Sequence, residues 1–468
     1  VGHFTVGNAW IATAFTYQAK MPGWLGWIAV VLLALYLAVF PAIATLLTWT
    51  LRKRGRTAPL ATALLFAAAW ILTEWLRSWV FTGFAWNPLG ATTAWAAASS
   101  IWIGTYGLGG LVALAGGALW LAMHRHWRGA VAVLGGIGIL TGAAMLTIDF
   151  AGTQAQARRD SDGEGTAITA TIVQPNIPQN EKWDIAQRRA NFAKLARLSP
   201  PRKAEGPRLL LWPEAAVPDY LEPGYPLYWY DEPPSLARAR IASVLAPRDV
   251  LLTGAVKLDP TPDGSDVTGA RNSVFTIHPD ATLGPRYDKS HLVPYGEYLP
   301  MRVILEPLGL SRLAPGALDF LAGPGARTLD LRPRGLGLVG VQICYEIIFS
   351  GQVIDRAHRP DFLFNPSNDA WFGAWGPPQH LAQARLRAIE EGLPVVRATP
   401  TGISAVIDAD GRILKSIPQH QAGRIDMVLP PPHAPTLFAR FGNLMPLLFA
   451  AFLAALALTP LAQRRRSR

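Results

Sequence analysis

The stretch LGLVGVQICYEIIF (336–349) reads as a β-strand that ends on a nucleophile. It is rich in Leu, Val and Ile, it is bounded by glycine, and its far end carries Cys344, Tyr345 and Glu346. Cys344 is the only cysteine in the chain, so no intrachain disulfide can form. A lone cysteine is more often a small buried hydrophobe than a catalytic group. Its neighbours must decide which it is here.

Working outward, the same strand-like texture recurs. ITATIVQ (168–174), RLLLWPE (208–214), DVLLTGAV (249–256), NSVFTIHP (272–279) and DFLFNPSND (361–369) are short β-type runs bounded by turn residues. WDIAQRRANFAKLARL (183–198) and QHLAQARLRAIEEG (379–392) have helical spacing, the second closing on Gly392 as a natural C-cap. VRATPTGISAVIDADGRIL (396–414) reads as a late hairpin with DADG as its turn. Strands alternating with helices give an α/β or layered α+β domain over residues 160–432. Three stretches, 219–234, 301–323 and 370–378, are too long and apolar for plain loops. They are expected either to lie against a bilayer or lipid groove or to pack on one another.

The flanks differ. Half of the 468 residues are apolar, and these concentrate in 1–150 and 438–463. The mean hydropathy of +0.20 is high for a soluble protein. Residues 23–50, 59–80, 101–123, 129–149 and 438–463 are each long enough to cross a hydrocarbon core of about 30 Å. VGHFTVGNAWIATAF (1–15) reads as a partial span, so further membrane segments are expected to precede Val1. Basic clusters follow alternate spans: Arg52, Lys53, Arg54 and Arg56, then Arg125 and Arg128, then a 464–468 tail with Arg464, Arg465, Arg466 and Arg468. Of the opposite short loops, Lys20 is the clear basic residue. The positive-inside rule therefore makes the basic side cytoplasmic and puts the middle domain on the far side, Arg158 and Arg159 weakly opposing. Glu74 and Arg77, three apart, share a helix face and can pair. The net charge of +11 is accounted for largely by the span ends, and no basic stripe with interleaved aromatics marks a nucleic-acid surface.

The chemistry gathers in three stretches that end strands: LLLWPEAAVP with Glu214, YDKSHLVPYGEYLP with Lys289 and Glu297, and VQICYEIIF with Cys344 and Glu346. A cysteine nucleophile acts as the thiolate, so a base must take its proton. A carboxylate at a strand end can do so. An ammonium beside the reacting carbonyl, together with the N–H of Tyr345, can hold the oxyanion. Each residue alone has an ordinary structural reading as core packing, strand-end carboxylate or surface amine. The scattered histidines offer no metal-ligand spacing, and no Gly-rich phosphate loop follows a strand, so neither metal nor cofactor is expected.

WPE, DKxHLVPxGE and CYE, in that order, resemble the nitrilase superfamily with its Glu-Lys-Cys triad. More closely, QPNIPQNEKW (174–183), HLVPYGEYLP (291–300), ICYEII (343–348), SNDAWFG (367–373), TEWLRSWVFTGFAWNPLG (73–90) and ARFGN (439–443) resemble the apolipoprotein N-acyltransferase family. The resemblance implies a nitrilase-like αββα sandwich, an α/β fold, inserted in an α-helical transmembrane bundle. It implies Glu214 as general base, Lys289 as oxyanion stabiliser and Cys344 as nucleophile. Glu297, Glu346, Tyr345 and Trp183 are then supporting residues. It also implies a phospholipid acyl donor, a diacylated apolipoprotein acceptor and a thioester intermediate at the outer face of a bacterial inner membrane. A membrane-anchored amidase or nitrilase using water is the alternative within enzymes. A transporter or non-catalytic scaffold is the alternative outside them, though few intramembrane charges beyond Glu74 and Arg77 support it.

Overall fold

The computed structural model describes residues 1–17, 21–55, 58–162, 167–201, 206–313 and 318–466. Lys20, Arg56 and Arg468, used above to orient the chain, lie outside the described residues.

Two six-stranded sheets stand face to face. The first has the order β12-β1-β2-β3-β4-β5, from β1 (Thr169–Gln174), β2 (Arg208–Leu211), β3 (Asp249–Pro260), β4 (Val267–Ile277), β5 (Tyr287–Asp288) and β12 (Gly423–Val428). The second has the order β11-β10-β9-β8-β7-β6, from β6 (Thr328–Asp330), β7 (Leu338–Val341), β8 (Phe362–Pro366), β9 (Val395–Ala398), β10 (Ser404–Ile407) and β11 (Ile413–Ile417). Each sheet is parallel at its centre, β1-β2-β3 in one and β7-β8-β9 in the other. Ile172, Leu209, Leu211 and Leu252 from the first sheet share one apolar core with Val339, Leu363, Val395 and Val406 from the second. The opposite face of the first sheet, with Leu210, Leu251 and Phe275, is covered by Leu195 and Ile241 of the Arg188–Leu198 and Pro234–Ala242 helices. The Gly376–Glu391 helix packs against β9. This is the expected αββα layering, and the DADG hairpin is present as β10-β11.

The strand LGLVGVQICYE is shorter than its composition suggests. β7 stops at Val341, and Cys344 begins a 3₁₀ turn, Cys344–Ile348. The late strand β12, unanticipated, pairs antiparallel with β1 and closes the first sheet's edge.

The membrane part consists of the helices Leu25–Gly55, Pro59–Arg77, Ser100–Met123, Trp127–Asp162 and Leu444–Arg466. Four of them hold windows long and apolar enough to span a bilayer, and the last has a shorter apolar core, Leu444–Thr459. Residues 1–15 differ from the partial span expected. They form two short helices, Gly2–Gly7 and Ile11–Ala14, separated around Asn8. Trp10 from this break packs on Trp86 and on Phe372 of the sandwich domain. The loop 219–234 packs partly on itself through Tyr220, Tyr225 and Trp229, while Leu227 and Tyr228 remain exposed. Val303, Ile304 and Leu308 are likewise exposed, and in 370–378 Phe372 is buried while Trp375 is exposed. Glu74 and Arg77 do pair, at 3.6 Å, and together they hold the 86–89 segment: Leu89 N–H donates to Glu74, and Arg77 donates to the Trp86 carbonyl.

One buried cluster joins the membrane part to the sandwich. Gly104 sits inside the Ser100–Met123 helix at φ 62°, where a Cβ would also run into the Phe438 ring. The break frees the Thr105 N–H, which donates to the Glu390 carboxylate of the Gly376–Glu391 helix. Thr105 Oγ1 and Ser350 Oγ donate to the same oxygen at 2.7 and 2.8 Å, and Arg387 pairs with the other at 2.8 Å. Ser350 lies just past the nucleophile turn, so this carboxylate connects the broken helix to the active centre. Glu390→Ala removes the acceptor and leaves Arg387 buried without its counter-charge. It is expected to cost about 3–5 kcal/mol, read as a clear fall in the thermal midpoint in detergent.

Candidate active site

The three predicted residues sit at equivalent places on their strands. Glu214 lies just past β2, Lys289 just past β5 and Cys344 just past β7. These are the carboxyl ends of sheet strands, where α/β proteins place their ligand sites. The tip carrying Glu214 crosses Gly254 of β3, where a Cβ would lie 2.3 Å from the Ala215 nitrogen, so only glycine fits.

All three are buried, at 6% exposure for Glu214, 1% for Lys289 and 4% for Cys344. Lys289 Nζ donates to Glu297 Oε1 at 3.0 Å, lies 2.9 Å from Glu297 Oε2 and is 3.8 Å from Glu214 Oε1. Asn272 of β4 is the hub. Its Nδ2 donates to Glu214 Oε1 at 2.7 Å and to Glu297 Oε1 at 3.0 Å, and its carbonyl accepts from the Lys289 N–H at 2.9 Å. Among the described residues, Glu214 Oε2 meets no hydrogen-bond partner. Burial works against the Lys289 charge, but Glu297, Glu214 and the sulfur together hold its ammonium above the ordinary lysine range. Burial first, then Glu214, push the Cys344 thiol well above its usual range, while Lys289 pulls it down. The Cys344 thiol thus shares one buried cluster with Glu214 and Lys289.

Cys344 has φ 52°, a left-handed conformation costly for a residue with a side chain. Its neighbours enforce it. His380 donates from Nε2 to the Cys344 carbonyl at 3.0 Å and is backed by Asp369 and Arg397. Burial and the Arg397 guanidinium keep His380 below the ordinary imidazole range. Glu346 acts as a bracket between the nucleophile turn and the lysine strand. It accepts from Ile343 N–H (2.7 Å), Ser290 N–H (2.7 Å), His291 N–H (3.0 Å), Ser290 Oγ (2.8 Å) and Tyr287 OH (2.8 Å). Glu297 thus meets the lysine directly, whereas Glu346 positions the segment that carries it. Tyr345 is buried, packs on His291 and Phe349, and donates to the Gly83 carbonyl of the membrane part at 3.5 Å. Trp183, 42% exposed, stands outside this buried set beside Lys182.

Two residues at the centre had no strong sequence signal of their own. Asn272 sits inside an otherwise ordinary strand, and Lys182 was masked by the aromatic next to it. A cavity of about 20 Å³, room for about one water, lies beside Lys182, Glu214 and Pro218. Among the described residues, no group of three or more His, Cys, Asp or Glu is arranged to hold a metal ion.

Glu346→Gln turns an acceptor into a donor against the inward-facing N–H groups. It is expected to cost about 1–3 kcal/mol in positioning and to slow acylation of Cys344 roughly ten- to hundredfold. Single-turnover acylation followed by intact mass measures this.

Residues 169–429 match the carbon-nitrogen hydrolase family, and residues 1–118 match the apolipoprotein N-acyltransferase N-terminal domain. An apolipoprotein N-acyltransferase of Rhodopseudomonas palustris is 35% identical, covering 99% of this chain and 84% of that protein. One from Brucella melitensis biotype 1 is 36% identical over 93% of this chain and 79% of that protein. Among solved structures, Saccharomyces cerevisiae Nit3 of the nitrilase superfamily aligns at 20% identity with a TM-score of 0.38, covering 60% of this chain and 94% of that one. With a carbon-nitrogen hydrolase domain set on a membrane-helix region of matching type, this chain belongs to the apolipoprotein N-acyltransferase family.

Proposed function

We propose that this membrane enzyme moves a fatty acyl chain from a phospholipid to the α-amino group of a diacylglyceryl-cysteine lipoprotein, through a thioester on Cys344. The observation that carries the reading is the asymmetry of Glu214. One carboxylate oxygen is fixed by Asn272, and the other is buried and, among the described residues, unpartnered, in a site it shares with the nucleophile.

In the first step Glu214 takes the thiol proton and the sulfur attacks the ester carbonyl carbon. A C–S bond forms, and the resulting oxyanion is held by Lys289 and the Tyr345 N–H. Collapse breaks the ester C–O bond, and the proton on Glu214 passes to the departing lysophospholipid oxygen. In the second step the neutral α-amine attacks the thioester. A C–N bond forms, the C–S bond breaks, and the amine proton returns through Glu214 to the sulfur. The thiol is regenerated, and the net change is one ester lost and one amide gained. Both substrates are lipids, which suits a sandwich flanked by membrane helices with exposed apolar residues Leu227, Val303 and Leu308 near it in sequence.

For orientation, Gly129 approaches Leu60 and Leu121, and Ala457 packs with Ala61 and Leu65. These contacts gather the amino end of the Pro59–Arg77 helix, the 124–126 turn and the last helix's carboxyl end at one end of the bundle. Arg125 and Arg128 lie in or beside that turn, and Arg52 and Lys53 lie in the last turn of the Leu25–Gly55 helix. The positive-inside rule then supports a catalytic domain on the extracytoplasmic side.

Incubated with phospholipid alone, the enzyme is expected to gain one acyl chain on Cys344, removed by hydroxylamine and absent in Cys344→Ala, by intact mass. Glu214→Gln should slow this loading at least about a hundredfold; normal loading would remove Glu214 from the base role. With a diacylated lipopeptide added, the acyl chain should appear on its amine. Release as free fatty acid, with no N-acylated peptide, would replace the transferase with a hydrolase.

A further inference from the structure

Lys289 is not the only cation at the sulfur. Lys182 ends the one-turn helix Gln179–Lys182, and its Nζ donates to the Glu214 carbonyl oxygen at 2.9 Å. With the Asn368 carboxamide oriented to satisfy its neighbours, Asn368 Oδ1 accepts from Lys182 Nζ at 3.2 Å and from Trp371 Nε1 at 3.1 Å. The Asn368 backbone N–H in turn bears on the Cys344 sulfur and favours its thiolate. Lys182 therefore bridges the tip of β2, in one sheet, to the loop after β8, in the other.

Its partners distinguish it from Lys289. Lys289 is held by carboxylate oxygens, whereas the oxygens that accept from Lys182 are a peptide carbonyl and a carboxamide. A neutral amide side chain could bridge two such oxygens equally well without the cost of desolvating a charge. A charged group kept here at that cost needs a reason, and the charges around it supply one. Burial pushes the ammonium down to about 8, with the Glu214 carboxylate and the Cys344 sulfur acting in the opposite sense. Below that value it is a cation, and the thiolate would form beside it.

We propose that Lys182 is a second working cation of the acyl-transfer site. It is a positioning residue that holds Glu214 and the Asn368 N–H around the sulfur, and its ammonium favours the thiolate and oxyanion formed there. The inference rests on the thioester reading above and deepens it. The groups bearing on the sulfur are then Glu214, Lys289, Asp369 and Lys182, with His380 behind its carbonyl.

The sole cysteine makes the test specific. Alkylation of Cys344 by iodoacetamide, scanned over pH and read by intact mass, reports its thiolate without any lipid. Lys182→Gln is expected to slow alkylation at pH 7 about tenfold, the difference fading as the pH rises through about 8, where the wild-type ammonium is lost. Lys182→Arg, which keeps the charge, should stay within about threefold of the wild type at pH 7. Lys182→Met is read in the same way should Lys182→Gln not fold. A neutral variant with the wild-type rate and pH profile overturns the proposal. So does an equal fall in the neutral and Arg variants that is the same at every pH, the mark of a mere spacer. Loading from phosphatidylethanolamine vesicles keeps the two readings apart. Wild-type protein that never forms the thioester overturns the acyl-transfer reading and this inference with it. Normal loading with an unchanged pH profile in the neutral variant overturns this inference alone.

Discussion

A lysine ammonium with 1% exposure is the constraint on which this site is built. A buried charge is tolerated only with close counter-charges and filled hydrogen bonds. Glu297 and Glu214 supply the first, and Asn272 supplies the second by touching both carboxylates and the Lys289 backbone. On the mechanism proposed above, the arrangement also lets a thiol held well above its usual titration range react. The proposed proton transfer from sulfur to Glu214 relocates a negative charge within the cluster and does not change its total. Burial opposes the creation of charge far more than its displacement between neighbours, so the low dielectric does not penalise the step as it would a lone ionisation.

The catalytic sandwich is seated on the membrane helices and is not merely tethered to them. Glu390 ties the break at Gly104 to Ser350, a few residues past the nucleophile. Tyr345, the residue after Cys344, reaches the Gly83 carbonyl. Trp10 and Trp86 from the membrane part pack around Phe372, and Trp86 also packs on His380, whose imidazole supports the Cys344 carbonyl. Contacts on three sides of the nucleophile turn thus lead into the membrane part.

The sequence made the chemistry legible because each reactive group closes a strand, and parallel strands put such ends together. The αββα layering followed from alternating runs, and most spans followed from apolar length. What stayed hidden depends on partners far apart in the chain. Asn272 meets carboxylates 58 and 25 residues away, and nothing local distinguishes it from any strand asparagine. Lys182 gains its meaning from a carbonyl 32 residues on. The break near Asn8 was invisible for a related reason. Residues 1–15 are apolar enough for a helix, and at the interruption Trp10 packs against Phe372, more than 300 residues on. β12 was missed because its alternating polar residues belong to an edge strand, where one face needs no apolar cover.

The left-handed backbone at Cys344 completes the logic. Such a conformation costs about 1–3 kcal/mol and survives only where its surroundings over-determine it. Here the carbonyl is fixed from behind by His380, the preceding N–H is fixed by Glu346, and the following residues are held by the membrane part. A relaxed turn would let β7 continue straight and carry the thiol along the sheet. The enforced turn instead lifts it off the strand end, between a tip from its own sheet and tips from the facing one. Glu214 and Lys289 belong to one sheet, and Cys344 and Asn368 to the other. On the proposed mechanism the reaction depends on the spacing of two sheets, which Glu346 on one side and Lys182 on the other bridge.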